Sequence, residues 1–174
     1  MPVWSEYGHT RKICGRIGAR LAGLGHGYDI APIQQSPDPA SHEAVLVAAS
    51  IRHGKHDPSV LEYVSRHLDA LRSRPSAFLS VSLIARKPTR NTAGSNPYVK
   101  AFIARSPWKP ALVGVFGGEL DYQRYGLFNR YAIRLIMKIN RGPTDLDTKV
   151  EFTDWDEVDR FAGRLAALLD GRAG

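Results

Sequence analysis

Apolar residues along this chain follow two periodicities, which together predict alternating strands and helices. Runs of β-branched and apolar residues bounded by breaker residues predict four strands. These lie at 28–33, 44–50, 76–85 and 112–120. The middle two runs are apolar nearly throughout. That pattern is typical of strands covered on both faces, as in a parallel sheet.

Helical periodicity fills the segments between these strands. The predicted helices lie at 10–22, 56–71, 96–105 and 153–169. Asp57 and Thr153 are predicted N-caps, and Pro58 suits a first helical position. Such alternation predicts a doubly wound α/β sheet with right-handed crossovers. We expect one domain over 1–174, with long connections at 86–97 and 121–149.

The composition is that of a globular protein with a core of its own. The chain has 174 residues, of which 43% are hydrophobic and 24% charged. Its one cysteine, Cys14, excludes a disulfide framework and a four-thiolate zinc site within the chain. No apolar run approaches the ~20 residues that span a bilayer, and the first residues lack the features of a signal peptide. We therefore expect a protein that is made and kept inside the cell, in a reducing compartment.

Charge and motifs narrow the function classes further. A formal charge of +7 and a pI of about 9.8 favour an anionic partner, whether nucleic acid, acidic lipid headgroups or small carboxylates and phosphates. His53 and His56 have metal-compatible spacing, but no further ligand set accompanies them, so no metal site is expected. Neither a G-x-S-x-G elbow nor a G-x-G-x-x-G fingerprint is present, so hydrolase chemistry and Rossmann-type dinucleotide binding have no support.

A short polar segment near the start has the residue types of a phosphate-binding loop. It consists of Ser5, Glu6, Tyr7, Gly8, His9 and Thr10, and it runs directly into the first predicted helix. Unpaired N–H groups at a helix N-terminus attract phosphate, and a glycine permits close backbone approach. The alternative is an ordinary helix start, because S-x-x-G-x-T alone is a weak pattern.

Several segments together resemble one known family. S-x-x-G-x-T followed by alternating strands and helices is similar to the FMN phosphate loop of flavodoxins. The segments "ASIRHGKH", "PSAFLSVSLIARKP", "LIMKINRGPTD" and "TDWDEVDRFA" resemble the menaquinone-dependent protoporphyrinogen IX dehydrogenases of bacteria. The resemblance covers essentially the whole chain. Ordinary flavodoxins lack both the A-R-K-P segment and the basic helix before the last crossover.

The resemblance implies a fold, a cofactor and an activity. The fold is a flavodoxin-like parallel sheet of order 2-1-3-4-5 with helices on both faces and noncovalently bound FMN. The activity is the oxidation of protoporphyrinogen IX to protoporphyrin IX in heme biosynthesis, with electrons passed to menaquinone. The cofactor carries the redox chemistry, and no side chain stands out as a general base, so the catalytic residues are unknown.

The resemblance also implies site residues. The phosphate loop is 5–10, as above. The loops after the third and fourth strands would flank the flavin ring, through Ser50, Ile51, Arg52 and His53 on one side and Ser82, Leu83, Ile84 and Ala85 on the other. Arg86 and Lys87 are candidates to bind the substrate propionates by charge-assisted hydrogen bonds, with loop solubility as the alternative.

The chain departs from the family pattern at its first strand. A central strand of five or six apolar residues is expected, yet only Met1, Pro2, Val3 and Trp4 precede the loop. Pro2 cannot donate to a β-ladder. The first strand is therefore truncated. We expect the recorded start to lie inside the true reading frame; the alternative is a stunted strand and weak FMN binding.

A basic helix is predicted in an insertion at about 121–149. On a helical wheel, one apolar arc holds Phe128, Tyr131, Ala132, Leu135, Ile136 and Ile139, and a basic stripe holds Arg130, Arg134, Lys138 and Arg141. Ile133 and Met137 lie beyond the stripe, away from that arc. We expect Arg130, Ile133, Arg134, Met137 and Lys138 to contact an anionic membrane surface. The alternative is a core-covering helix with a solvated basic face.

The expected protein is cytoplasmic and peripheral on the inner face of the cell membrane, with no nucleic acid partner and no oligomeric state assigned. Two other functions stay open. One is a flavodoxin-like electron carrier or general quinone reductase, which would not need the insertion. The other is a basic, flavin-free module that binds RNA or an acidic protein.

Overall fold

Five parallel strands form the sheet at the centre of the protein. The computed structural model describes residues 1–4, 8–124, 127–139 and 142–171. The parallel strands are β1 (Pro2–Trp4), β2 (Ala31–Pro32), β3 (Val45–Arg52), β5 (Ser76–Ser82) and β6 (Leu112–Gly117), in the order β2-β1-β3-β5-β6. Counted as parallel strands alone this is 2-1-3-4-5, so the predicted order is confirmed. A two-residue strand, β4 (Lys55–His56), pairs antiparallel with β3.

The first strand is short but central, as the prediction of a truncated strand requires. In β1, Val3 pairs with Pro32 of β2 on one side and with Ala48 of β3 on the other. The neighbouring strand β2 is also shorter than the predicted 28–33, since a 3₁₀ turn over Ile33–Gln35 follows it directly. Few β-ladder pairs therefore join β1 to its neighbours β2 and β3.

Helices cover both faces of the sheet. They are α1 (His9–Gly23), α2 (Pro58–Arg66), α3 (Leu68–Arg72), α4 (Pro97–Arg105), α5 (Leu127–Ile139) and α6 (Trp155–Leu169). On one face, Ile13 and Ile17 of α1 pack with Phe161 and Leu165 of α6. The other face carries a second cluster, in which Val60, Val64, Phe102 and Trp108 lie over the sheet. Because both faces of the sheet are buried, β3 and β5 do not alternate between apolar and polar residues.

Helix starts follow the side chains that can cap them. Asp57 accepts a hydrogen bond from the Ser59 amide, with Pro58 at the first helical position as predicted. Asn96 accepts from the amides of residues 98 and 99 at the start of α4. The predicted Thr153 cap is wrong: Asp154 caps α6 by accepting from the Glu157 amide, because the Thr153 hydroxyl is bonded elsewhere.

The insertion has its own stem. The predicted strand 112–120 divides after Gly117, and β7 (Glu119–Asp121) leaves the sheet to pair antiparallel with β8 (Lys149–Glu151). A side chain at Gly117 would meet the Phe152 carbonyl oxygen at 2.3 Å, so this turn requires glycine. Leu120, Tyr122 and Met137 form a small core between the stem and α5. Among the described helices, none combines the length and the apolarity needed to cross a bilayer.

Candidate cofactor site

Three chain connections leave the carboxyl edge of the sheet. They follow β1, β3 and β5, which are neighbours in the sheet and run in the same direction. Ligands of open parallel sheets bind at this edge. The sequence-predicted phosphate loop and both predicted ring loops are these three connections.

The first turn of α1 presents an unsatisfied donor to this edge. Gly8 precedes the helix with a φ of +80°, a left-handed conformation that glycine adopts without strain. Thr10 is 1% exposed, and its hydroxyl has no hydrogen-bond partner among the described residues. A buried hydroxyl left unbonded costs about 1–3 kcal/mol, so this position suits a ligand oxygen. Ser5, Glu6 and Tyr7, the other predicted loop residues, lie outside the described residues.

His9 is bonded into the protein. It is 9% exposed, and its Nε2 lies 2.7 Å from the Thr153 Oγ1. The Thr153 hydroxyl donates to the Gly117 carbonyl oxygen at 2.8 Å. The Glu119 carboxylate lies 4.0 Å from the His9 Nδ1. The structure therefore assigns His9 contacts with the last crossover and the insertion stem, which sequence reasoning had not found.

The loop after β3 is a tight hairpin. Ser50, Ile51 and Arg52 are still in β3, and His53 with Gly54 forms a two-residue turn with φ values of +47° and +77°. Two consecutive positive φ angles are typical of a type I′ turn, which suits the twist of a hairpin. Ile51 pairs with His56 across it. The predicted ring-contact residues are thus carried on rigid backbone.

His56 anchors this hairpin to the sheet. Its Nε2 lies 2.9 Å from the Oγ of Ser80 in β5, and its ring packs edge-on against Phe78 and Phe102. Burial lowers the pKa of His56 to about 4, so the imidazole is neutral at neutral pH. The sequence showed this histidine only as half of a weak metal-spacing pattern.

The loop after β5 brings a second unsatisfied hydroxyl to the same edge. Ser82 is buried, and its Oγ has no partner within the described part of the chain. Leu83 and Ile84 open a 3₁₀ turn and are partly exposed. Ala85 departs from the prediction, because its side chain is buried against Val99 and Val115. Any ligand contact at position 85 would fall to the backbone.

The predicted propionate-binding residues follow immediately. Arg86 donates from Nη1 to the Leu83 carbonyl oxygen at 3.0 Å, and its guanidinium lies 5.6 Å from the centre of the Phe152 ring. Burial lowers the pKa of Arg86. The Arg86 side chain therefore links the loop after β5 to Phe152, which follows the stem of the insertion. Lys87, partly exposed, continues the same turn.

Helix α5 presents the opposite face from the one predicted. Met137 is 1% exposed within the insertion core, so its predicted membrane contact is wrong, and the partly exposed Ile133 packs against that core. The exposed side chains are Tyr131 at 57%, Leu135 at 59% and Ile139 at 73%. The wheel has two apolar arcs, and the insertion core formed by Leu120, Tyr122, Val150 and Phe152 covers the narrower one.

The basic residues of α5 also differ in whether they are exposed or bonded to the insertion. Arg134 and Lys138 are exposed as predicted, whereas Arg130 donates from Nε to the Tyr122 carbonyl oxygen at 2.9 Å. Arg141 lies outside the described residues, as do the side chains of Phe128 and Ile136. The sequence between 122 and 144 contains no Asp or Glu. An exposed apolar stripe flanked by positive charge results.

The residues at the sheet edge fit a flavin phosphate. Thr10 and Ser82 offer buried hydroxyls that have no partner among the described residues, at two of the three connections, and a Cβ at Gly8 would meet no described atom within 4 Å. A phosphate needs such donors, and the helix dipole adds to them. The chemistry of this donor set agrees with the cofactor that the resemblance implied.

Comparison with known proteins supports the same conclusion. A family model described as flavodoxin domain matches residues 2–147. Protoporphyrinogen IX dehydrogenase (quinone) of Escherichia coli K12 is 39% identical over 165 residues, covering 94% of this chain and 91% of the relative. The Leishmania major protein of the same name is 43% identical over 164 residues, covering 92% of this chain and 71% of the relative.

Solved structures support the fold. A flavodoxin from the domain Archaea superposes with a TM-score of 0.51 at 12% identity, covering 97% of this chain and 95% of that one. A flavodoxin domain implies a flavin cofactor. The chain therefore belongs to the protoporphyrinogen IX dehydrogenase family, an enzyme family built on the flavodoxin domain.

Proposed function

We propose that this protein binds FMN, oxidises protoporphyrinogen IX to protoporphyrin IX in heme biosynthesis, and passes the electrons to menaquinone. The single observation that carries the cofactor assignment is the pair of buried hydroxyls at Thr10 and Ser82, on the carboxyl edge of the sheet, for which the described part of the chain supplies no hydrogen-bond partner. The substrate and acceptor class are those named for relatives at 39% and 43% identity.

Different residues at this edge would contact the phosphate and the ring of the cofactor. The Thr10 hydroxyl and the first amides of α1 would bind the phosphate, and the hairpin 50–53 and the turn 82–85 would border the ring. When bound, the flavin supplies two-electron redox chemistry. Because the hairpin is fixed by His56 and Ser80, its backbone needs little rearrangement to receive the ring.

Substrate binding is proposed for the turn after the ring loop. Protoporphyrinogen IX carries two propionates, and Arg86 and Lys87 lie next to the turn that would border the flavin. Arg86 is braced against Phe152. We expect it to present a fixed charge to one propionate, and Lys87 to serve the other.

Menaquinone is soluble in the bilayer, so the protein has to approach a membrane. We propose that it does so as a cytoplasmic, peripheral protein at the inner face of the cell membrane, through the α5 stripe of Tyr131, Leu135 and Ile139. Arg134 and Lys138 border the stripe and complement anionic headgroups. This surface replaces the predicted one, which included the buried Met137.

An anaerobic assay on purified protein tests the proposal. The preparation should show the absorbance of oxidised flavin, lose it on addition of protoporphyrinogen IX, and regain it on addition of menaquinone while fluorescent protoporphyrin IX accumulates. A protein with no flavin absorbance after incubation with excess FMN would refute the cofactor assignment.

The same assay separates the other functions. Oxidation by menaquinone of a chemically reduced sample that never reacts with protoporphyrinogen IX would favour the electron carrier or general quinone reductase. A colourless protein that binds RNA or an acidic protein would favour the flavin-free module.

A further inference from the structure

The first turn of α1 is tied to the insertion by one short chain of hydrogen bonds. The Thr153 hydroxyl has a single proton, which it donates to the Gly117 carbonyl oxygen at 2.8 Å. It therefore accepts from His9, so the His9 Nε2 carries a proton and donates it at 2.7 Å. Three segments that are distant in sequence are joined at this point.

The joint lies at both ends of the insertion. Gly117 ends β6 just before the stem begins, and Thr153 follows the stem strand β8. The Phe152 amide also donates to the Gly118 carbonyl oxygen at 3.0 Å. Gly117 has no room for a side chain against Phe152, so the two backbones are in close contact here. A bond from His9 to Thr153 thus fixes α1 to the base of the stem.

His9 directly precedes Thr10, whose hydroxyl is buried and has no partner among the described residues. An almost buried hydrogen bond on the neighbouring residue is well placed to hold that hydroxyl in one position.

We infer that His9 is a positioning residue for the flavin phosphate, and that it links phosphate binding to the stem of the insertion. The inference rests on the proposed function. His9 acts by fixing the turn that carries Thr10, through Thr153. Because linkage is reciprocal, phosphate binding at Thr10 should also stabilise the stem.

Lys12 provides a matched control on the same helix. Its Nζ contacts the Glu151 Oε2 at 2.6 Å and lies 4.9 Å from the centre of the Trp155 ring, so it joins α1 to the same stem. Its side chain is 59% exposed, however, and exposed ion pairs contribute little. Lys12→Met should therefore leave flavin binding unchanged.

The test compares FMN with riboflavin, which lacks the phosphate. Dissociation constants are measured by flavin fluorescence on apoprotein for wild type, His9→Phe, His9→Gln, Thr153→Val and Lys12→Met. We expect His9→Phe and Thr153→Val each to weaken FMN binding about fivefold to tenfold, the size of one lost hydrogen bond, with riboflavin unchanged. His9→Gln keeps a donor and should restore most of the FMN affinity. The double variant should be no weaker than either single variant.

A second measurement follows the stem itself. Amide hydrogen exchange in β7 and β8 should slow when FMN binds to wild type and slow less with riboflavin, and His9→Phe should remove the difference. Circular dichroism and thermal unfolding establish that each variant is folded.

Two results would overturn the inference: unchanged FMN affinity in His9→Phe, or equal losses for FMN and riboflavin. Wild-type protein that binds neither flavin would instead remove the proposed function and the inference with it.

Discussion

At the scale of single residues, unpartnered polar atoms give the clearest indication of the cofactor site. Three buried hydroxyls lack a partner among the described residues, those of Thr10, Ser59 and Ser82. Two of them lie at the carboxyl edge of the sheet, and Ser59 lies in the first turn of α2. A fold that leaves a buried donor unsatisfied loses stability, so these positions favour a ligand.

Replacing Thr10 by Val should weaken FMN binding about tenfold while leaving the protein as stable as before, since no described residue bonds to the hydroxyl. Flavin fluorescence and thermal unfolding measure the two effects. Ser59→Ala is the matched control, because it removes a similarly buried hydroxyl from a residue that is not part of the proposed site, and it should leave FMN affinity unchanged. An equal effect from both variants would contradict the assignment.

His56 makes the stability of the hairpin pH-dependent. Burial lowers its pKa from 6.5 to about 4. Between these values the unfolded chain binds the proton and the folded protein does not, so stability is complete above pH 6.5 and falls as the pH drops toward 4. The loss should approach about 3 kcal/mol across this window.

Urea unfolding of wild type and His56→Asn, at intervals from pH 7 down to 4, tests this prediction. The variant should be less stable at pH 7, and its stability should depend less on pH in the window. Parallel curves for the two proteins would show that another group is responsible. His53→Asn, which changes an exposed histidine in the same hairpin, is the control.

At the scale of elements, α5 shows how a helix with two apolar arcs acquires its orientation. The insertion supplies a small core of its own, and Met137 and Ile133 complete it. Tyr131, Leu135 and Ile139, spaced four residues apart, are left on the surface. An exposed apolar stripe of this kind indicates an interaction surface.

Changing Tyr131, Leu135 and Ile139 together to Ser should release the protein from vesicles that contain anionic lipid, because the stripe supplies the apolar part of the contact. Cosedimentation measures this. Leu24→Ser, at another exposed apolar position, is the control and should still bind. Undiminished cosedimentation of the triple variant would exclude this face.

Met137→Ala should loosen α5 without exposing new charge. Removing a fully buried side chain leaves a cavity, at a cost of about 2 kcal/mol or more. Faster amide exchange within α5 is the expected result, and the exposed neighbour change Lys138→Ala should leave exchange unaltered. Equal exchange in both variants would mean that Met137 is not part of the insertion core.

Local patterns predicted much of the fold, and packing decided the rest. Asp57 and Pro58 predicted the start of α2, because helix capping depends on residues that are neighbours in sequence. The face of α5 could not be found in this way, since it depends on Leu120 and Val150, which pair only once the stem forms. The phosphate loop that includes Thr10 was predicted from residue type, whereas the hydrogen bond from His9 to Thr153 spans 144 positions and has no local signal.

At the scale of the whole molecule, positive charge is concentrated where the apolar stripe lies. The net charge is +7, and the segment 122–144 contains Arg124, Arg130, Arg134, Lys138 and Arg141 without any acidic residue. The charge would draw the protein to an anionic surface, and the stripe would hold it there.

Vesicle binding should therefore weaken progressively as the salt concentration is raised. Between about 0.1 M and about 1 M ionic strength the Debye length shortens from about 10 Å to about 3 Å, which screens the attraction of Arg134 and Lys138 to headgroups. We expect most of the cosedimenting protein to be released, and Arg134→Gln with Lys138→Gln to bind weakly even at low salt. Salt-independent binding would show that charge plays no part.

The pairing of Asp121 with Lys149 across β7 and β8 means that the polypeptide departs from the sheet and returns to it at neighbouring points. Both ends of the segment between these residues are therefore attached at nearly the same place. Its length or sequence can be exchanged by ordinary insertion and deletion, and the parallel strands beneath keep their register. Changes within this segment could therefore alter the proposed membrane surface while the parallel sheet stays in place.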